Sequence, residues 1–246
     1  MRVAARMAGR VALVAGAGNG GCGGGGVMVM RFPGSTLALL GLALAAVSCG
    51  GPQALSLPTE PVDRAATCGV VATAAARRAT ADINASLPIA EEGHILHYAL
   101  LGASADGVYS SETAGAVVKR MPALEPKITD GAWQNLIPAC RAAFPEAEQS
   151  DVALPPDKLD AQLGCGALAQ FIATALEPAK IHYASELAAY RRLRGRLSDK
   201  VGSALRARVG SATQEQRAAE AKAMAKIARA GSTIAVLAEC ARRFGA

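Results

Sequence analysis

The sequence predicts an all-α protein made of two tandem helical units, each closed by one disulfide. Of its residues, 51% are hydrophobic but only 4% are aromatic. Alanine supplies much of the apolar fraction and favours the helix more than any other residue. Apolar residues recur at spacings of three and four, while the alternating β-branched runs typical of strands are missing. Four cysteines at regular spacing complete the argument for two units.

The segment 30–48 has the three parts of a secretory signal. Arg31 follows Met30, an apolar run extends from Leu37 to Val47, and small residues follow. This run of 11 residues is short for a membrane span, which needs about 20 apolar residues. We therefore expect cleavage, and we interpret residues 1–29 as an over-extended, disordered start upstream of a complete signal.

The tetrad Ala46-Val47-Ser48-Cys49 resembles the lipobox of bacterial lipoproteins, with Ala46 where such signals usually carry leucine. The resemblance implies that Cys49 is diacylated and becomes the mature N-terminus. The chain would then be held on a membrane through its N-terminal lipid, facing the periplasm or the cell surface. Ordinary secretion as a soluble protein and an uncleaved anchor are the alternatives. Residues 49–61, which contain Gly, Pro and Ser, are interpreted as a tether.

The four remaining cysteines, apart from Cys22 and Cys49, are expected to form two disulfides. An even number of cysteines in an exported chain is typical of disulfide bonding, because the periplasm is oxidising. Cys68 and Cys140 are 72 residues apart, and Cys165 and Cys240 are 75 apart. This spacing favours those two pairs over the other connectivities. Chain entropy predicts that each bond stabilises the fold by ~4 kcal/mol.

Matching landmarks in the two halves indicate a tandem duplication. A Cys-Gly pair begins each half, a His-Tyr-Ala triplet follows a proline, and Cys-x-x-x-Phe ends each half. The triplets begin at His97 and His182 in a chain with only 3 histidines. We interpret each repeated His-Tyr as structural, with a packed tyrosine ring and a locally satisfied imidazole.

The predicted organisation places helical unit 1 at 62–145, an acidic, proline-bearing linker at 146–156, and helical unit 2 at 157–246. Helices are predicted at about 62–84, 90–104, 110–121, 127–144, 157–176, 179–208 and 212–243. The last two are expected to form a long antiparallel hairpin. Asp157 and Ser211 are candidate N-terminal caps.

One local cluster could hold a metal. Glu91, His94 and His97 are three residues apart and share a helix face, the spacing that carboxylate-bridged metal sites use in helical bundles. The second unit has no matching acid. A metal-binding protein or metal-dependent enzyme is therefore kept as the alternative hypothesis, and the main hypothesis assigns no cofactor.

Charge is distributed unevenly along the chain. Residues 50–164 have a net charge of −6, and residues 165–246 have a net charge of +8. A predicted basic surface contains Arg191, Arg192, Arg194, Arg196, Lys200, Arg206 and Arg208. A solvated helix face is the plain interpretation of this cluster. An anionic envelope component, an acidic protein, or the chain's own acidic first unit is the functional interpretation.

The leading functional hypothesis is a non-enzymatic envelope lipoprotein that serves as a structural or interaction module. Nucleic acid is not expected as a partner, because the chain carries an export signal and the basic run lacks interleaved aromatic residues for base stacking. No catalytic residue is predicted, since no nucleophile elbow, phosphate loop or Cys-x-x-Cys pair occurs. The oligomeric state is not predicted.

Overall fold

A computed structural model describes residues 55–82 and 84–245 of the 246-residue chain. The predicted start at 1–29, the signal at 30–48 and the lipidation site Cys49 lie outside the described residues. Residues 49–54 of the predicted tether at 49–61 also lie outside them, whereas 55–61 are described.

The regular secondary structure of the described residues is entirely helical, with no β-strand among them. The α-helices are α1 (Pro61–Ala79), α2 (Ile89–Gly102), α3 (Ser111–Thr129), α4 (Ile137–Ala143), α5 (Lys158–Ala175), α6 (Ala184–Val209), α7 (Thr213–Ala228) and α8 (Thr233–Phe244). Short 3₁₀ helices occupy Trp133–Leu136, Pro145–Glu148 and Glu177–Ala179. Within this part of the chain, no helix is both long and apolar enough to cross a membrane.

Polar side chains cap the helices that organise each half. Glu60 accepts a hydrogen bond from the backbone N–H of Asp63 at the start of α1, over 2.7 Å. Asp157 accepts from the N–H of Asp160 at the start of α5, over 2.8 Å, as predicted. The other predicted cap is wrong, because α7 begins after Ala212 without a side-chain cap and Ser211 lies outside it. Such caps satisfy backbone donors that the first turn leaves unpaired.

The first helix of each half is its packing centre. In the first half, α1 packs against α2 and α3 and is bonded to α4 through Cys68–Cys140. In the second half, α5 packs against α6 and α7 and is bonded to α8 through Cys165–Cys240. The two halves meet where α2 packs on α7 and α8. One hydrophobic core includes residues of both halves.

Small residues permit close approach where helices cross. A Cβ at Gly164 in α5 would lie 2.7 Å from the backbone oxygen of Ala223 in α7. A Cβ at Gly93 in α2 would overlap the side chain of Ile234 in α8, with Cδ1 only 2.8 Å away. Both crossings therefore depend on a residue without a side chain.

Several helix boundaries differ from the prediction. The helix predicted at 62–84 ends at Ala79. The helix predicted at 127–144 is divided, because α3 ends at Thr129 and α4 begins only at Ile137, after a 3₁₀ turn.

A continuous α3 runs through Pro122 and Pro126, where an interruption was expected. The predicted helix 212–243 is broken between α7 and α8, where Gly231 has φ of +131°, a conformation that favours glycine. The helix predicted from 179 begins only at Ala184, after a 3₁₀ turn.

Residues of the predicted linker are held against the break between α7 and α8. The N–H of Ala153 donates to the carbonyl of Ala230 over 2.8 Å, and that of Ser232 donates to Gln149 over 3.2 Å. A Cβ at Gly231 would lie 2.7 Å from the carbonyl oxygen of Asp151. The close approach of these two backbone segments thus explains why the break carries a glycine.

Candidate functional site

The outer face of α6 is the strongest candidate for a binding surface. The inner face of α6 carries leucine or valine at every fourth position and packs into the core. The buried residues of this face are Leu193, Leu197, Val201 and Leu205. At about 100° per residue, Arg192, Arg196 and Arg206 lie on the opposite side, and all three are exposed. Amphipathic patterning of this kind fixes the orientation of the helix and presents the guanidinium groups to solvent.

All seven residues of the predicted basic surface are exposed. Some of them have interaction partners within the chain, and others have no carboxylate partner among the described residues. Arg191 forms an ion pair with Glu177, and Arg208 binds both Asp157 and Asp160 at 2.9 Å. Lys200 also has an interaction within the chain. Arg192, Arg194, Arg196 and Arg206 have no carboxylate within 4.0 Å among the described residues.

Three basic residues of the second half form ion pairs with acidic residues that precede or begin α5. Arg208 hydrogen-bonds the carboxylate of Asp157 and, together with the backbone N–H of Asp160, lowers the pKa of Asp157 to about 2. Lys226 pairs with Asp160, and Arg229 lies 3.7 Å from Glu146. Part of the charge asymmetry seen in the sequence is therefore neutralised within the chain.

Arg229 also binds the segment that follows α2, since its guanidinium donates to the carbonyl oxygen of Ser104 over 2.7 Å. Its role is to tie the two halves together.

The structure places Glu91, His94 and His97 in three different environments. Glu91 is exposed, His94 is half-buried, and His97 is only 1% exposed. The nearest charged partner of His94 is Glu148, at 3.9 Å between Nε2 and Oε1. No group of three His, Cys, Asp or Glu side chains within residues 55–82 and 84–245 is arranged to hold a metal ion. This geometry provides no support for the alternative hypothesis of a metal site at Glu91, His94 and His97.

His97 has a structural role, although its partner is distant rather than local. Nε2 is 2.7 Å from the carbonyl oxygen of Ala228, so this nitrogen must carry the proton and donate it. Nδ1 has no hydrogen-bond partner among the described atoms. Burial is the main cause that lowers the pKa of His97 below its ordinary value of 6.5. The neutral ring therefore links α2 to the end of α7.

The two repeated tyrosines are both buried, while the histidines differ. Tyr98 makes an edge contact with Phe144, at 5.6 Å between ring centroids, and burial raises the pKa of Tyr98 to about 12. The hydroxyl of Tyr183 donates to the carbonyl oxygen of Leu87 over 2.5 Å and joins the two halves. His182, in contrast to His97, is exposed. Only the tyrosine of each pair has a shared role in packing.

A small cavity of about 150 Å³ lies beside the first disulfide. Its apolar walls include Ala72 and Ile137, and its polar side contains His94, Arg141 and Glu148. Glu148 is already paired with Arg141, at 3.2 Å. Glu148 lies near both Arg141 and His94, so the charged groups that line the cavity already face partners within the protein.

Comparison with known proteins adds no functional assignment. No protein-family model matches the chain, and no curated protein and no solved structure is detectably similar to it.

Proposed function

We propose that this chain is a non-enzymatic module of the cell envelope that binds an anionic partner through the outer face of α6. The observation that carries the proposal is the set of exposed arginines on that face without carboxylate partners among the described residues. An electropositive surface of this kind attracts polyanions and accelerates their encounter with the protein.

The proposed location is the periplasm or the cell surface, with the chain anchored by a lipid on Cys49. The signal-like segment 30–48 and the lipobox resemblance support this proposal from the sequence. Two disulfides, Cys68–Cys140 and Cys165–Cys240, add a compatible chemical argument. Structural disulfides persist in oxidising compartments and are rare in reducing ones. Release as a soluble secreted protein is the alternative, and separation of membrane and soluble fractions distinguishes the two.

We further propose that the two halves arose by tandem duplication. Each half has four α-helices, and in each the first helix packs against the second and third and is disulfide-bonded to the fourth. The His-Tyr pairs do not occupy equivalent places, since His97 lies inside α2 and His182 precedes α6. A relative whose chain contains a single unit with one Cys-Gly to Cys-x-x-x-Phe span would support the duplication. Relatives in which only one half keeps this helix order would argue against it.

Retention on an immobilised anionic polymer tests the binding proposal. The test variant combines Arg192→Gln, Arg196→Gln and Arg206→Gln, all on the outer face of α6. The matched control replaces three arginines that form ion pairs elsewhere: Arg120→Gln, Arg141→Gln and Arg242→Gln. Both variants lose three positive charges. We expect only the α6 variant to elute at clearly lower salt; equal elution of the two would contradict a binding role for this face.

A further inference from the structure

The outer face of α6 combines arginines with small side chains. Arg192 and Arg206 are 14 residues apart, about 21 Å at 1.5 Å per residue. Gly195 and Ser203 are exposed between them, and the face carries no large exposed apolar residue. The guanidinium groups can therefore approach a broad anionic surface without obstruction. Arginine binds phosphate oxygens through two parallel hydrogen bonds, which distinguishes it from lysine.

Charge repulsion on this face favours an external anion. Arg192 and Arg196 are neighbours at i and i+4, an arrangement that destabilises an isolated helix. Neither has a carboxylate within 4.0 Å among the described residues. Asp199 is the one acid on the same face, and it is exposed. A layer of phosphate groups would relieve the repulsion between the arginines.

An exposed apolar side chain lies in the turn that leads into α6. Ile181 is 84% exposed, more than any other large hydrophobic residue described. The ion pair between Glu177 and Arg191 ties this turn to the N-terminal part of α6. Exposed Lys180 and His182 flank Ile181. Lys180 pairs with Glu177 at 3.3 Å, so the lysine and Arg191 share one carboxylate beside this apolar tip. An exposed apolar side chain next to basic groups suits contact with a lipid interface.

We propose that the outer face of α6 docks on the phosphate headgroups of an anionic lipid surface, with Ile181 entering the boundary between headgroups and acyl chains. This inference rests on the proposed function and specifies its partner. Two acyl chains on Cys49 would already hold the chain on a membrane, so docking of this face is not needed for attachment itself. The docked face would instead fix the orientation of a chain tethered by Cys49.

Vesicle sedimentation of the full chain carrying Cys49→Ala tests this inference without the contribution of acylation. The probes are vesicles of phosphatidylcholine alone and of phosphatidylcholine with phosphatidylglycerol. Each arginine near such a surface contributes about a fivefold gain in binding, so the α6 triple variant should lose roughly a hundredfold on anionic vesicles. Ile181→Ser should weaken vesicle binding with no change in retention on the anionic polymer. Asp199→Asn should strengthen binding to both probes.

The outcomes separate this inference from the proposed function. Salt-sensitive binding to anionic vesicles that falls in the α6 variant, and separately in Ile181→Ser, supports lipid docking. Vesicle binding unaffected by the arginines, together with arginine-dependent retention on the polymer, would overturn lipid docking and leave the anionic-partner proposal standing. Loss of the arginine dependence in both assays would overturn both. The Arg120, Arg141 and Arg242 control variant excludes a general effect of net charge.

Discussion

His97 in α2 donates a hydrogen bond through Nε2 to the carbonyl oxygen of Ala228, the last residue of α7, over 2.7 Å and 131 positions of sequence. The bond crosses the contact between the two halves. The carbonyl of Ala228 lies at the C-terminus of its helix, where no further turn follows to pair it. A buried neutral histidine thus satisfies a helix end that packing alone would leave unpaired.

The protonation of His97 should make stability depend on pH. Burial lowers the pKa of His97 in the folded chain, and the unfolded chain takes up the proton first as the pH falls. The free energy of unfolding should therefore be constant above pH about 6.5 and should decrease below it, by at most ~1.4 kcal/mol per pH unit for this group. His94 and Glu146 also act on this site electrostatically. Denaturant titrations across this range measure the slope.

The matched variants for this pH dependence are His97→Gln, which keeps a donor but does not titrate, and His182→Gln at an exposed position. We expect the first to flatten the pH profile and the second to leave it unchanged. His94→Gln separates the contribution of the neighbouring ring. An unchanged slope in His97→Gln would assign the pH dependence to other groups.

The hydroxyl of Tyr183 should contribute measurably to the contact between the halves. Tyr183→Phe removes the donor to the buried carbonyl of Leu87 and should reduce the free energy of unfolding by about 1–3 kcal/mol, because the acceptor is left unsatisfied. Tyr190→Phe is the control, since the Tyr190 hydroxyl has no hydrogen-bond partner among the described residues. Chemical denaturation of both variants measures the difference, and equal stabilities would refute this role.

The glycine at the crossing of α5 and α7 should not tolerate a side chain. Gly164→Ala places a Cβ 2.7 Å from a backbone oxygen, and such overpacking typically costs about 1–3 kcal/mol. Gly115→Ala is the control, because its Cβ would meet nothing within 4 Å on an exposed position of α3. That control should gain about 0.5–1 kcal/mol from helix propensity. A destabilised Gly115→Ala and a neutral Gly164→Ala would contradict the helix packing described here.

Each disulfide should stabilise its own half. Paired substitution of Cys165 and Cys240 by serine should reduce the free energy of unfolding by about 2–5 kcal/mol and leave Cys68–Cys140 intact. The reciprocal variant should behave in the same way. Thermal unfolding combined with free-thiol counting measures both effects. Scrambled pairing of the two remaining cysteines with another thiol would show that the connectivity is different.

Much of the fold follows from the sequence, because local patterns encode it. The similar spacing of Cys68–Cys140 and Cys165–Cys240, 72 and 75 residues, predicts both disulfides, and the structure confirms them. Helical periodicity predicts the all-α class. It does not predict the break at Gly231, because that break depends on the approach of Asp151 from a distant segment. It also fails at Pro122 and Pro126, where packing of α3 on α1 and α2 outweighs the local cost of proline.

The candidate site follows from the sequence only in part. The density of arginine in α6 identifies the basic helix, and the apolar period indicates which side it exposes. Some arginines of α6 are neutralised by acids that are distant in sequence. Asp157, for example, pairs with Arg208 across 51 positions, and no local sequence pattern predicts such an ion pair. The exposure of Ile181 is likewise a tertiary property, since an isoleucine in a sequence is more often buried.

The most direct test of the proposed envelope location is the intact mass of the chain purified from a Gram-negative host, before and after reduction. We expect a chain that begins at acylated Cys49 and gains the mass of four hydrogens when its two disulfides are reduced. A chain that begins at Met1 and carries free thiols at all 6 cysteines would contradict export, lipidation and disulfide formation together.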